Sequence, residues 1–235
     1  MRLYRGDFIE NLTEPGLYRI DGIRSKTFGR GDPYYIDKNS LIEAIRQHTE
    51  PNSPVDIDYY NKTDFISFTT ERKRAMYWAS AMGKISLVNC DIDYFETHYI
   101  FTIDIEEEKL IKINEGIYFF EYACNPLLKQ PNSPYILDYP AVVPTCPICQ
   151  GLKSNHSLYL IDSVEFLNRH SDSEKYKGAF ENAIRDKEWL LLPNDSINHG
   201  RSARIPRADF WSVTHFMVEG KPRDPFRYSI RGIID

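Results

Sequence analysis

The chain has 235 residues, of which 42% are hydrophobic and 27% charged, and its formal net charge is −5 at pH 7. This composition excludes a disordered or low-complexity chain, and the length is sufficient for one large domain with its own core. No apolar run approaches the roughly 20 residues of a membrane-spanning helix, and the first residues lack the apolar core of a signal peptide. We therefore expect a cytoplasmic protein without membrane contact.

The first half of the chain alternates strands and helices. Hydrophobic periodicity predicts strands over 2–8 and 65–69 and helices over 40–48 and 71–82. Asn39 or Ser40 is suited to cap the first helix. The second helix keeps four small or apolar residues on one face: Ala75, Met76, Ala79 and Met82. Residues 51–64 between these pairs have the composition of a loop.

The second half is predicted to be mainly β. Strands or strand fragments are expected over 97–105, 110–113, 157–161, 164–167, 188–192 and 210–218, with one helix over 174–184. Taken together, the elements predict a mixed α+β fold with more strand than helix.

Residues 125–157 interrupt this pattern, because they contain six of the fourteen prolines and show little periodicity. A connection this long inside a compact domain is typically an insertion. Cys146 and Cys149 have the spacing of a metal knuckle, and Cys124 and His156 flank them, so the four side chains are candidate ligands of a structural zinc ion. The alternative is reduced, unpaired thiols, as expected for few cysteines in a chain of this size.

Three short motifs occur in order along the chain: Tyr4-Arg5-Gly6, the segment from Phe65 to Thr69, and Asp186-Lys187-Glu188. Their order and strand context resemble the Arg–Ser–Glu class of ADP-ribosyltransferases, the cholera-toxin-like group that includes bacterial and phage effectors. The resemblance implies two facing, mostly antiparallel β-sheets with flanking helices and an NAD cleft. A single domain over 1–235, with the insertion at about 125–157, would hold this fold.

The chemistry of NAD cleavage assigns a role to each motif residue. The glycosidic bond breaks through an oxocarbenium-like state, which the carboxylate of Glu188 would stabilise while it holds a ribose hydroxyl. Arg5 would bind the pyrophosphate, and Gly6 would leave room for the cofactor. Ser67 would orient Glu188, and Thr69 would hold the strand. Each residue alone also suits an ordinary strand.

Three further residues have alternative interpretations. Asp186 stands where the family has a residue that helps to choose the acceptor, commonly Glu or Gln. On a strand it would share a face with Glu188 and could accept a proton from the nucleophile. Tyr77 is a candidate platform for nicotinamide, with a core or surface aromatic as the alternative. Arg19 competes with Arg5 as the motif arginine.

The resemblance predicts a mono-ADP-ribosyltransferase of the toxin, effector or phage-defence type, which uses NAD as substrate and acts in the producing cell or after injection. An antitoxin or inhibitor protein is the implied partner. The acceptor is a protein side chain or a nucleic-acid base. Residues 201–231 hold seven basic and three acidic side chains, which form either a solvated edge or a nucleic-acid patch. Two other functions fit: an NAD glycohydrolase, and a non-catalytic interaction module organised by zinc.

Overall fold

A computed structural model of the chain describes residues 1–8, 23–25, 41–50, 65–82, 94–123, 127–129, 142–144, 155–194, 204–205, 208–220 and 229–231. The four α-helices within these ranges are α1 (Leu41–Thr49), α2 (Arg72–Met82), α3 (Ser163–Asn168) and α4 (Glu174–Asp186). A 3-10 turn covers Glu107–Lys109. None of the described helices has the length and apolarity that a bilayer crossing requires.

The strands within the described ranges are β1 (Arg2–Phe8), β2 (Ile23–Arg24), β3 (Ile66–Thr69), β4 (Tyr94–Asp104), β5 (Ile111–Asn114), β6 (Ile117–Ala123), β7 (Leu127–Lys129), β8 (Val142–Pro144), β9 (Asn155–Asp162), β10 (Glu188–Pro193), β11 (Arg204–Ile205), β12 (Trp211–Gly220) and β13 (Ser229–Arg231). Nine of them form one sheet in the order β13-β12-β4-β1-β3-β10-β9-β6-β5. Every neighbouring pair in this sheet is antiparallel. Two short pairs, β2–β11 and β7–β8, stand apart.

The α+β class predicted from the sequence is therefore confirmed, with an antiparallel sheet and a few helices. The finer arrangement, two facing sheets around an NAD cleft, stays a prediction. Much of the predicted insertion, the predicted loop over 51–64 and the two candidate cap residues of α1 lie outside the described residues.

The centre of the sheet is buried on both faces, because side chains alternate along each strand. On one face Leu190 and Leu192 pack with Phe65 against α1, α3 and α4, whereas on the other Leu191 packs with Ile66. The three leucines are at most 4% exposed. Burying each such side chain stabilises the fold by about 1.5–3 kcal/mol, so β10 is anchored along its length.

One predicted strand fragment is wrong. Residues 164–167 belong to the helix α3, which Asp162 caps. Its Oδ1 atom accepts hydrogen bonds from the backbone N–H groups of Val164 and Glu165 at 3.0 and 3.1 Å. A short apolar run fits a strand or a helix equally well by period, and the capping aspartate decides for the helix. The strand β6 has no counterpart among the predicted elements, and β4 begins three residues before its predicted start.

Candidate functional site

The three motif segments lie on three neighbouring strands. β3, which carries Ser67, lies between β1, which carries Arg5, and β10, which begins at Glu188. Thr69 at the end of β3 is the register partner of Tyr4 on one side and of Glu188 on the other. The sheet therefore joins segments from both ends of the chain at one place.

Glu188 and Ser67 stand on the same face of the sheet. Glu188 is directly opposite Thr69, so Ser67, two residues earlier on β3, is its diagonal neighbour. The pKa of Glu188 is raised to about 7, mainly by burial, while the hydroxyl groups of Thr49 and Ser67 favour the ionised form and act in the opposite direction. The charge of Asp186 contributes to the rise, and the charge of Arg185 opposes it. Glu188 is therefore a carboxyl group whose two protonation states are close in free energy at neutral pH.

The C-terminal end of α1 closes one side of this site. His48, its penultimate residue, is buried, and its Nε2 atom lies 2.7 Å from Ser67 Oγ. The His48 ring meets Phe65 edge-on, with 5.5 Å between ring centroids. Asn182 of α4 donates a hydrogen bond to the carbonyl oxygen of Thr49 at 3.2 Å, which ties the two helices together next to Glu188.

Neither His48 nor Thr49 is among the residues that the sequence predicts for the site. His48 follows Ala44 and Ile45 at helical spacing, so the apolar face of α1 predicts its burial. Its contact with Ser67 depends on where α1 packs, which local periodicity does not specify. Thr49 Oγ1 is buried and has no other hydrogen-bond partner within the described residues, and the Thr49 side chain lowers the pKa of Glu188.

Arg5 reaches the site through the backbone of β3. Its Nη1 atom donates a hydrogen bond to the carbonyl oxygen of Ser67 at 3.1 Å. Alternation places the Cβ of Arg5 on the face of the sheet opposite to that of Tyr4, Ser67 and Glu188, so its guanidinium meets Ser67 at the backbone carbonyl. β1 is paired with β4 along its whole length. The guanidinium is thus fixed at the same residue whose hydroxyl acts on Glu188. Arg19, the rival motif arginine, lies outside the described residues.

The predicted role of Gly6 needs correction, because helix α2 fills the space beside it. A side chain at this position would collide with the carbonyl oxygen of Ala75 and come within 2.9 Å of Ala79 Cβ. Gly6 therefore allows α2 to pack closely on β1, in place of the predicted close approach of a cofactor. Thr69, also predicted for the site, is buried, and its Oγ1 accepts a hydrogen bond from the N–H of Glu71 at 3.1 Å. It holds the turn between β3 and α2.

Asp186 does not share a strand with Glu188, contrary to the prediction. It is the last residue of α4, and Lys187 caps that helix in the left-handed conformation with φ 47° and ψ 50°. The chain changes direction at this residue before β10 begins. The Asp186 carboxylate forms ion pairs with Arg74 of α2 and with Arg185, the latter at 3.0 Å. It is occupied by two guanidinium groups, so its predicted role as a proton acceptor has no support in this geometry.

Tyr77 lies on the exposed side of α2 next to a second aromatic residue. Tyr77 is 42% exposed and Trp78 is 40% exposed. Their rings meet edge-on with 5.6 Å between centroids, and the guanidinium of Arg74 lies 4.7 Å from the Tyr77 centroid and 5.1 Å from that of Trp78. Neither ring belongs to the core.

The zinc prediction falls largely outside the described residues, which do not include Cys124, Cys146 or Cys149. His156, the fourth predicted ligand, is buried on β9, and its ring stacks on Tyr122 with 5.7 Å between centroids. In the part of the chain that the structure describes, no three His, Cys, Asp or Glu side chains are grouped to hold a metal ion. The zinc site stays a prediction.

The arrangement combines three chemical capacities at adjacent strands. Glu188 supplies a carboxyl group that ionises near neutral pH, Ser67 supplies a hydroxyl beside it, and Arg5 supplies a fixed cation. These groups suit a reaction that develops positive charge on a substrate carrying phosphate. Comparison of the chain with protein-family models, with curated proteins and with solved structures finds no match.

Proposed function

We propose that this chain is an ADP-ribosyltransferase, which cleaves NAD between nicotinamide and ribose and transfers ADP-ribose to a macromolecular acceptor. The observation that supports it best is the adjacency of β1, β3 and β10, which carry the arginine, serine and glutamate of the motif. Other strands and helices separate these segments in the chain, so the order of the motifs does not by itself require them to be neighbours.

Glu188 is the proposed stabiliser of the transition state. The bond from C1′ to the nicotinamide nitrogen breaks, and nicotinamide leaves as a neutral molecule with the electron pair. Positive charge then develops at C1′, and an ionised carboxylate next to it lowers the barrier. The acceptor bonds to C1′ and loses a proton. The positive nicotinamide ring of bound NAD favours the ionised form of Glu188, which opposes the effect of burial on its pKa.

The other two motif residues would fix the substrate and the carboxylate. Ser67 favours the ionised form of Glu188 through its hydroxyl and receives the hydrogen bond of Arg5 at its carbonyl oxygen. A guanidinium held in this way is suited to the NAD pyrophosphate, because its planar N–H fork matches phosphate oxygens. His48 lies against the Ser67 hydroxyl and would restrict its direction.

The test uses adenylate-labelled NAD in a cell lysate. The purified chain and its Glu188→Gln variant are incubated with the lysate, and protein, nucleic acid and small molecules are separated and counted. We expect macromolecular label from the natural sequence and about 100-fold less from the variant, as when an electrostatic stabiliser is removed. Glu181→Gln, on the exposed side of α4, is the matched control and should label at the natural rate.

Each other outcome identifies a different function. If the label accumulates as free ADP-ribose and depends on Glu188, water is the acceptor and the chain is an NAD glycohydrolase. Intact NAD with all three proteins would refute the proposal and leave the non-catalytic interaction module as the better interpretation.

A further inference from the structure

The two exposed aromatic rings of α2 lie beside the candidate site. Arg74 connects the two places, because its guanidinium lies within 5.1 Å of both ring centroids and pairs with Asp186, two residues before Glu188. Asp186, whose charge acts on Glu188, pairs with Arg74 beneath the rings. A ligand on the rings would therefore be close to the carboxylate of the site.

The rings are held in place from below. The guanidinium of Arg74 lies within 5.1 Å of both ring centroids, and Asp186 holds that guanidinium in an ion pair. The side chains of Arg74 and Asp186 are only 20% and 16% exposed, whereas the residues Tyr77 and Trp78 are 42% and 40% exposed. A fixed aromatic surface loses little conformational freedom when a flat ligand stacks on it, which favours binding.

The surroundings of the rings are positive although the whole chain is negative. Residues 71–74 and 185–188 contain five basic side chains and three acidic ones, a local formal charge of +2 in a chain of charge −5. The basic members are Arg72, Lys73, Arg74, Arg185 and Lys187, and the acidic members are Glu71, Asp186 and Glu188. Lys187 and Arg185 stay 55% exposed although they pair with these acids. Such a surface is complementary to a polyanion.

We infer that Tyr77 and Trp78 bind a base of a single-stranded nucleic acid, and that nucleic acid is the acceptor of ADP-ribose. The acceptor role rests on the proposed function, whereas the binding does not. Bases stack on aromatic rings irrespective of sequence, and nearby cations follow the phosphates of the strand. The adenine of NAD is also a flat base. An extended basic surface on the outside of a helix suits a strand with many phosphates better than a dinucleotide.

The binding test needs no NAD. Fluorescein-labelled single-stranded DNA and RNA of mixed sequence are titrated with the full chain, and the fluorescence anisotropy is recorded. We expect the double variant Tyr77→Ala/Trp78→Ala to bind at least about 10-fold more weakly, as expected for lost stacking. The matched control is Tyr176→Ala, which should leave oligonucleotide binding unchanged. Tyr176 also has a cation over its ring, Lys175 Nζ at 5.4 Å from the centroid, but it lies at the opposite end of α4 from Arg185. Thermal unfolding of the double variant should be close to that of the natural sequence, because Tyr77 and Trp78 are exposed.

Labelled NAD then separates the two proposals. Ring-dependent oligonucleotide binding without NAD cleavage would overturn the proposed activity and the acceptor role, and leave the nucleic-acid surface standing. Cleavage with label in protein, unaffected by the double variant, would overturn the inference and leave the transferase. A raised KM for NAD with unchanged oligonucleotide binding would assign the rings to the adenine of NAD. Absence of oligonucleotide binding at about 100 µM chain in low salt would also overturn it.

Discussion

Replacing Glu188 by glutamine measures how much stability the folded protein loses by burying an ionised carboxylate at this position. The pKa of this group is about 7 in the folded chain against an ordinary value of 4.5. The folded state therefore holds the proton more tightly than the unfolded chain does. Between pH 4.5 and about pH 7 the free energy of unfolding of the natural protein therefore falls as the pH rises, because the folded state must bury a charge. The amide of the variant is neutral throughout and similar in size.

The size of the effect follows from the same two values. At 1.36 kcal/mol per pKa unit, the difference corresponds to about 3 kcal/mol at a pH above 7. Glu188 keeps part of its surface accessible to water, which screens its charge, so we expect about 2 kcal/mol in practice. Below about pH 4.5 the difference between the two proteins should nearly vanish, since the natural side chain is then protonated in both states.

Urea denaturation at about pH 4.5 and pH 8.5 measures this difference. The Glu188→Gln variant should gain about 2 kcal/mol in the free energy of unfolding, relative to the natural protein, between the lower and the higher pH. Glu181→Gln, which removes an exposed carboxylate from α4, should show no comparable gain. An equal difference at both pH values, or a variant that is less stable at pH 8.5, would refute the reasoning about burial.

Three other predictions follow from the structure. If Glu188 acts as a carboxylate, kcat/KM for nicotinamide release should rise with pH through about 7, the pKa of the free protein, and level off above it, and a value that falls over this range would contradict the assigned role. Gly6→Ala should lower the free energy of unfolding by about 1–3 kcal/mol through its collision with α2. Gly178→Ala, whose added methyl group would lie nearest to the flexible carboxylate of Glu50, should change it by less than about 1 kcal/mol, and equal losses in urea denaturation would argue against the close packing of α2. Asp162→Ala should cost about 1 kcal/mol by uncapping α3, while Asp162→Asn keeps a capping oxygen and most of the stability; equal losses in the two variants would exclude the cap.

The sequence predicts the local elements of the site well, because they depend on nearby residues. The run from Trp189 to Leu192 predicts a buried strand, and the spacing of Ala75, Met76 and Ala79 predicts the buried face of α2; the structure confirms both. The end of α4 is harder to predict from local pattern, because lysine is an uncommon residue at a left-handed helix cap. The motif resemblance, which places Asp186 on a strand with Glu188, gives no sign of this cap.

Contacts between distant segments could not be predicted in this way. That β3 lies between β1 and β10 follows from the packing of the whole sheet, and no local pattern encodes it. The contact of His48 with Ser67 has the same origin, since it joins a helix to a strand between residues 19 positions apart in the chain. That Arg5, Ser67 and Glu188 act together is predicted by their resemblance to a known motif and not by residue periodicity.

The junction between α4 and β10 consists of one left-handed residue, Lys187, and this brevity limits how the length of the chain can vary there. β10 buries side chains on both faces, so its register cannot shift by one position without exchanging them. A single-residue insertion that shifts the register of β10 by one position would turn Glu188 away from Ser67 and bring Leu191 to the face that packs against the helices. A two-residue insertion would preserve the alternation. In homologous sequences we therefore expect insertions and deletions to occur outside this junction.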